Sequence, residues 1–173
     1  VLIKPTSATA EAAAELLRGF PPVYRPDARV LILGSLPGAQ SLARQSYYAN
    51  PRNQFWQLVG SVIGVDLVGC DYADRLATLI AHRVALWDVV STGHRQGSLD
   101  ADLKIAERSD LAGLVARLPD LRAIAFNGQL AARQAADAGA AVELITLPSS
   151  SPAHTLPLAQ KQTAWNAIGR HLS

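Results

Sequence analysis

Val30–Trp56 reads VLILGSLPGAQSLARQSYYANPRNQFW. Its first four residues are apolar without alternation, the mark of a strand covered on both faces, as central strands of parallel sheets are. Gly34 closes the run, and Ser, Pro and Gly follow as turn formers. Beyond the loop, Phe55, Val59, Val62 and Ile63 fall at helical spacing, on one face. The segment is therefore a strand–loop–helix unit, and the rest of the chain repeats the alternation. Val84–Val90, Ala123–Phe126 and Val142–Leu147 read as three more strands. Asp71–His82, Leu130–Ala138 and a closing segment through Leu158, Trp165, Ile168 and Leu172 read as helices. Leu103–Leu118 is also helical in pattern, interrupted near Ser109 and Asp110, either of which suits a helix cap. Ser91–Asp100 reads as a polar loop, and Ser7–Arg18 as a helix stopped by Gly19. The expected fold is α/β, a three-layer αβα sandwich with a central four-stranded, mostly parallel sheet. One domain over residues 19–173 follows an N-terminal helical extension, residues 1–18.

With 173 residues, 49% of them hydrophobic, the chain suffices for one sizeable core. Charged residues are 17%, too few for long disordered tracts. The formal charge of +2 permits a nucleic-acid partner without arguing for one. Cys70 is the single cysteine, which excludes an internal disulfide, a Cys-rich zinc site and an iron–sulfur cluster. It also suits a reducing, intracellular setting. No apolar run approaches the roughly 20 residues of a membrane span, and the first residues lack a signal-peptide layout. A cytoplasmic protein without membrane contact is expected.

In open parallel sheets the ligand crevice lies beyond the carboxyl ends of the strands. The residues placed there are Gly34–Gly38, Asp88 with Ser91–Ser98, Asn127-Gly128 and Ser149–His154. The set is polar and nearly free of acid–base groups. Gly34–Gly38 offers no lysine for a phosphate-binding loop, and there is no dinucleotide fingerprint or nucleophile elbow. His82, His94, His154 and His171 lack metal-ligand spacing. Only Asp88 stands as an acid at a strand end, so a carboxylate pair for hydrolysing a very stable bond is missing. What remains is a rigid pocket of backbone amides, aromatic faces and amide side chains. It suits a planar heterocycle stacked on Tyr47 or Tyr48. The helix starting near Asn53 aims its N-terminal amides at the same place, favouring an anion or a leaving base.

Gly34-Ser35-Leu36-Pro37-Gly38 followed by Tyr48-Ala49-Asn50-Pro51-Arg52-Asn53-Gln54-Phe55-Trp56 resembles motif 1 of the uracil-DNA glycosylase superfamily. Ser149-Ser150-Ser151-Pro152-Ala153-His154 resembles its motif 2. Leu86–Val90, Gly97–Asp100 and Phe126-Asn127-Gly128 add to the likeness, which runs from about Gly19 to the C-terminus. The pattern is closest to the hypoxanthine-DNA (deoxyinosine) glycosylases, family 6. Two positions depart from relatives. Leu36 stands where mismatch glycosylases carry a water-orienting Asn, and Ala153 stands at the usual place of a leucine wedge. Either His154 or Leu156 then fills the gap of a flipped base, or the enzyme relies on weakened base pairs.

The resemblance implies a monofunctional DNA repair enzyme that hydrolyses the N-glycosidic bond of deaminated bases, most simply hypoxanthine in deoxyinosine. Uracil or xanthine as the main base, and a catalytically silent nucleic-acid-binding domain, are the alternatives. Asn53 is the implied catalytic amide; the residues alone also allow a helix cap there. Gly34, Ser35, Leu36, Pro37, Gly38, Tyr48 and Asn127 are implied to bind the base. Ser149, Ser151, Pro152, Ala153, His154 and Arg52 are implied to contact DNA, with Arg95 a further phosphate contact. A tight turn, a core-edge aromatic and serine–backbone bonds are the plain structural readings of the same positions. Asp88 reads as a polar orienter or a turn acid, Asn50 as a turn former, and Tyr47 and the three tryptophans as core. No metal or cofactor is implied, and the partner is DNA, single- or double-stranded, bound by a monomer.

Overall fold

The computed structural model describes residues 15–134, 138 and 141–173. Seven strands fall into two sheets. The central sheet takes β2 (Val30–Gly34), β3 (Val84–Asp88), β6 (Ala123–Asn127) and β7 (Glu143–Leu147) in the order β3-β2-β6-β7, and every pairing is parallel. The apolar run of β2 explains its central place. Val30 and Ile32 face a cluster with Phe55, Leu58, Leu79 and Trp165, while Leu31 and Leu33 face a second with Leu111, Leu114, Ile124 and Phe126. Neither side of the strand meets water, so neither carries a polar residue.

Helices α2 (Phe55–Ile63), α3 (Tyr72–Ala81) and α6 (Leu158–Trp165) supply the first cluster, with the 3-10 turn Asn166–His171 behind them. The second is covered by α4 (Leu111–Val115), α5 (Gln129–Arg133) and the small antiparallel sheet. Asp110 caps α4, its Oδ1 accepting from the Gly113 amide at 3.0 Å, as one of the two expected caps. α1 (Ala39–Arg44) lies between the loop after β2 and Tyr47.

The second sheet departs from the sequence reading. It joins β1 (Leu16–Arg18), β4 (Val90–His94) and β5 (Lys104–Arg108) in the order β1-β4-β5. The helix expected over Ser7–Arg18 lies mostly outside the described residues, and its last three form β1, paired antiparallel with Thr92–His94. The expected loop Ser91–Asp100 begins inside β4, and the helix expected from Leu103 begins as β5. All three strands are short, β1 and β5 are largely exposed and β4 is buried but polar in sequence, so no apolar run announces them, and ladder pairing overrides local helix propensity. The strand expected over Val84–Val90 is split at Val89, where the chain leaves one sheet for the other. Of the helix expected over Leu130–Ala138, the structure describes α5 and a turn at Gln134.

Chain order reverses around β2. The connection to β3 runs to one side and the next strand, β6, adds on the other. The ends of β2 and β6 thus flank the switch point, where an open sheet leaves a crevice for ligand.

Candidate active site

A cavity of about 460 Å³ opens at that switch point. It is lined by Gly34–Gly38, Tyr48, Asn53, Asp88, the 98–101 turn, Asn127 and Ser149–His154, so motif 1, motif 2 and three strand ends meet in one place.

The loop after β2 is rigid because side chains tie it down. Arg95 donates from Nη2 to the Pro37 carbonyl at 2.6 Å and from Nε to the Gly97 carbonyl at 3.0 Å. The Ser35 hydroxyl donates to Asp100 Oδ1 at 2.6 Å, and the Ala39 amide donates to Ser98 Oγ at 2.9 Å. Arg95 therefore differs from the expected phosphate contact. It is only 6% exposed, and its fork is spent on loop carbonyls. Leu36, the departure from the mismatch enzymes, is buried in the second cluster.

Asn53 sits just before α2. Its Oδ1 accepts from the Phe55 amide at 3.0 Å, satisfying one of the helix's free N–H groups. Its Nδ2 makes no bond among the described residues, and the residue lines the cavity. Satisfying the helix start therefore uses only one end of this side chain. Asn50 is a turn former as expected, accepting from the Arg52 amide at 2.9 Å.

Tyr48 adopts a left-handed backbone, φ 51°. One ring face stacks on Phe55, centroids 3.9 Å apart and planes at 9°. Its hydroxyl accepts from Asn127 Nδ2 at 3.1 Å, and burial beside Asp88 pushes its pKa well above the ordinary tyrosine value. Tyr47 is core as expected, 3% exposed.

Asn127 is fully engaged. Its Nδ2 also donates to Ser150 Oγ at 2.9 Å, and its Oδ1 accepts from the Ser150 amide at 2.9 Å. The residue stitches the end of β6 to Tyr48 and to motif 2. Ser149 and Ser151 brace their own loop, accepting from the amides of Ser151 and Ala153 at 3.1 and 3.2 Å. Pro152, Ala153, His154 and Arg52 are exposed at the rim or beside it.

Sequence reasoning missed two parts of this site, Ser150 and Lys161, and gave two others, Arg95 and Asp88, different surroundings. Ser150, Arg95 and Lys161 are buried tethers, and Asp88 is a buried acid rather than a turn acid. Lys161, on α6 and 1% exposed, donates to Gln54 Oε1 at 3.0 Å and to the Ser151 carbonyl at 3.3 Å. With the Gln54 amide donating to the Ser150 carbonyl at 3.0 Å, this clamps motif 1 onto motif 2. Burial lowers the pKa of Lys161. Asp88 is 4% exposed, its pKa pushed up to about 7 by burial first and by Asp100 second, against the pull of Arg95. Only the strand-end position of Asp88 was a signal for it. Among the described residues no group of three or more His, Cys, Asp or Glu is placed to hold a metal, and no helix is long and apolar enough to cross a membrane.

The model of the uracil DNA glycosylase superfamily matches residues 21–169. A hypoxanthine DNA glycosylase of Methanosarcina acetivorans is 42% identical over 155 residues, covering 89% of this chain and 98% of that protein. One of Methanosarcina barkeri is 38% identical over 149 residues, covering 86% and 94%. A solution NMR structure from M. acetivorans, assigned to the uracil DNA glycosylases, superposes with a TM-score of 0.83. It is 42% identical and covers 91% of this chain and 99% of that one.

Proposed function

This chain belongs to the uracil DNA glycosylase superfamily, and from that premise we propose that it excises hypoxanthine from deoxyinosine in DNA by hydrolysing the N-glycosidic bond. The observation that carries this reading is the free Nδ2 of Asn53 at the cavity, on a side chain whose Oδ1 is fixed by the α2 amide. A flipped base enters the cavity and lies by Tyr48, whose own tilt is set by Phe55 and Asn127. The backbone amides of Ser35 and Leu36 meet its edge, and Asn53 orients the attacking water or holds the base. The bond breaks through an oxocarbenium-like sugar, so stabilising the departing base matters more than a strong nucleophile. Among the described residues no lysine lines the cavity, which favours hydrolysis without Schiff-base chemistry.

The hydroxyls of Ser149 and Ser151, which accept within their own loop and keep their protons to donate, together with Arg52, are assigned to the phosphates flanking the flipped nucleotide. Ala153 presents only a methyl at the rim. Leu99 also lines the cavity and is 53% exposed. Its turn is anchored on either side by Ser98 and Asp100. An apolar side chain on a fixed platform is what entry between base steps requires, so Leu99 is the wedge we assign.

Purified protein with oligonucleotides carrying one deoxyinosine or one deoxyuridine tests the reading, abasic sites being revealed by alkali. Cleavage at deoxyinosine, lost in Asn53→Ala with DNA binding intact, is the expected result. Cleavage confined to deoxyuridine overturns the substrate, and binding without cleavage of either overturns the activity.

A further inference from the structure

One carboxyl at the cavity has no part in the scheme above. Asp88 ends β3, is 4% exposed and lines the cavity, and its Oδ2 is buried without a hydrogen-bond partner. A buried carboxylate is held by donors or cations. Here no described residue donates to it, and the nearby guanidinium of Arg95 gives its N–H groups to loop carbonyls. The other titratable groups around it are Asp100, whose charge opposes ionisation, and the phenols of Tyr47 and Tyr48, which burial holds neutral. Among the described residues the charge of Arg95 alone favours the anion, and burial outweighs it. The carboxyl nevertheless stands at the one spot where Gly34 leaves room for it, 2.6 Å from the place a Cβ would take.

We infer that Asp88 is the general acid of the reaction, donating a proton to a ring acceptor of the purine as the base departs. The inference rests on the glycosylase reading. As the C1′–N9 bond breaks, its electron pair passes into the ring. The carboxyl proton moves to a ring nitrogen, so hypoxanthine leaves neutral. Water adds to C1′, and the proton it sheds restores the carboxyl. No further reactant is needed. A pyrimidine offers no second ring of acceptors, so this donor also biases the site toward purines. With the pKa raised to about 7, both forms of Asp88 are populated near neutrality, and the cycle of donation and recovery is accessible.

Single-turnover release of base from single-stranded deoxyinosine oligonucleotide, followed from about pH 5 to about pH 9, tests this. The wild-type rate is expected to decline above about pH 7, approaching tenfold per pH step. Asp88→Asn is expected to be slower by about 10²-fold or more and to lack that decline. Asp88→Glu, which keeps the acid, is expected to regain part of the rate and the decline. A wild-type rate independent of pH above neutrality overturns the inference without any variant. So does an Asp88→Asn protein that is slowed yet keeps the wild-type profile, since that is the behaviour of a purely structural residue. A wild-type protein that releases no base at any pH overturns the glycosylase reading, and this inference with it.

Discussion

A methyl group added at Gly34 would lie 2.6 Å from Asp88 Oδ1 and 2.8 Å from the Tyr48 hydroxyl. Neither neighbour is free to move, because Tyr48 is stacked on Phe55 and bonded to Asn127, and Asp88 sits on a core strand. Gly34→Ala is therefore expected to cost about 1–3 kcal/mol in urea unfolding and to abolish base release by displacing both groups. Asp88 makes a second prediction of its own. Its pKa is near 7 in the folded protein against 3.8 for the free carboxyl, so the native state holds a proton that the unfolded chain releases. Stability contributed by this group is full below pH 3.8 and is lost as pH rises through about 7. Asp88→Asn removes that loss. The variant is expected to be more stable than wild type at pH 8, by up to about 4 kcal/mol, and the difference should shrink toward pH 4. Equal melts at both pH values would show that Asp88 is not the buried neutral acid described. Stability gained with activity lost is the trade expected of a residue kept for chemistry.

At the scale of elements, the site is a set of loops held by buried cross-ties. α6 carries Lys161 into the seam where the start of α2 meets the loop after β7. Lys161→Met keeps the stem but leaves Gln54 Oε1 and the Ser151 carbonyl without their donor. A loss of about 1–3 kcal/mol is expected, together with a fall in base release larger than the loss of stability explains, because Asn53 and Ser149–Ser151 share that seam. Unchanged kinetics in a destabilised variant would limit Lys161 to folding. The 95–100 segment plays the matching part for the loop after β2, and it carries Leu99 to the cavity. Leu99→Ala is expected to lower cleavage of duplex deoxyinosine about 10-fold or more, by the loss of an apolar filler in the emptied stack. Cleavage of the single strand should be untouched. Equal losses on both substrates would rule out a wedge.

Across the whole molecule, the doubly covered sheet puts every chemical group at one end. Two apolar clusters bury β2 from either face, and the switch in strand order opens the crevice between β2 and β6. The formal charge is only +2, so DNA affinity must come from groups gathered at that rim rather than from a general field. Binding to oligonucleotides is expected to fall with salt. Arg52→Ala should reduce the log–log slope by about 1 without changing base preference. A slope unaltered by the substitution would place Arg52 away from the phosphates.

β2, β3 and β6 were legible because each is a short apolar run ended by turn residues and buried on both faces, and β7, a largely exposed edge strand, was legible from its Leu-Ile-Thr-Leu run before Pro148. The motif residues Gly34, Tyr48 and Asn53 were legible because their spacing is local: loop, aromatic and helix start follow one another in the chain. The second sheet was not, since short, half-exposed strands owe their conformation to partners far away in sequence. Ser150 and Lys161 were equally silent, and Asp88 and Arg95 were visible as residues but not in the surroundings they have. A sequence states that a residue carries a charge or a hydroxyl, and only packing decides whether it is buried and what it touches. Folding placed Asp88 among groups that disfavour its anion, turned Arg95 from the DNA to the loop, and drew Lys161 across to Gln54. The sequence by itself determined the class of fold and the place of the site. Which buried groups hold that site in shape, and which carboxyl is left there without a partner, was decided by tertiary structure, because solvation and long-range contact are properties of the packed molecule.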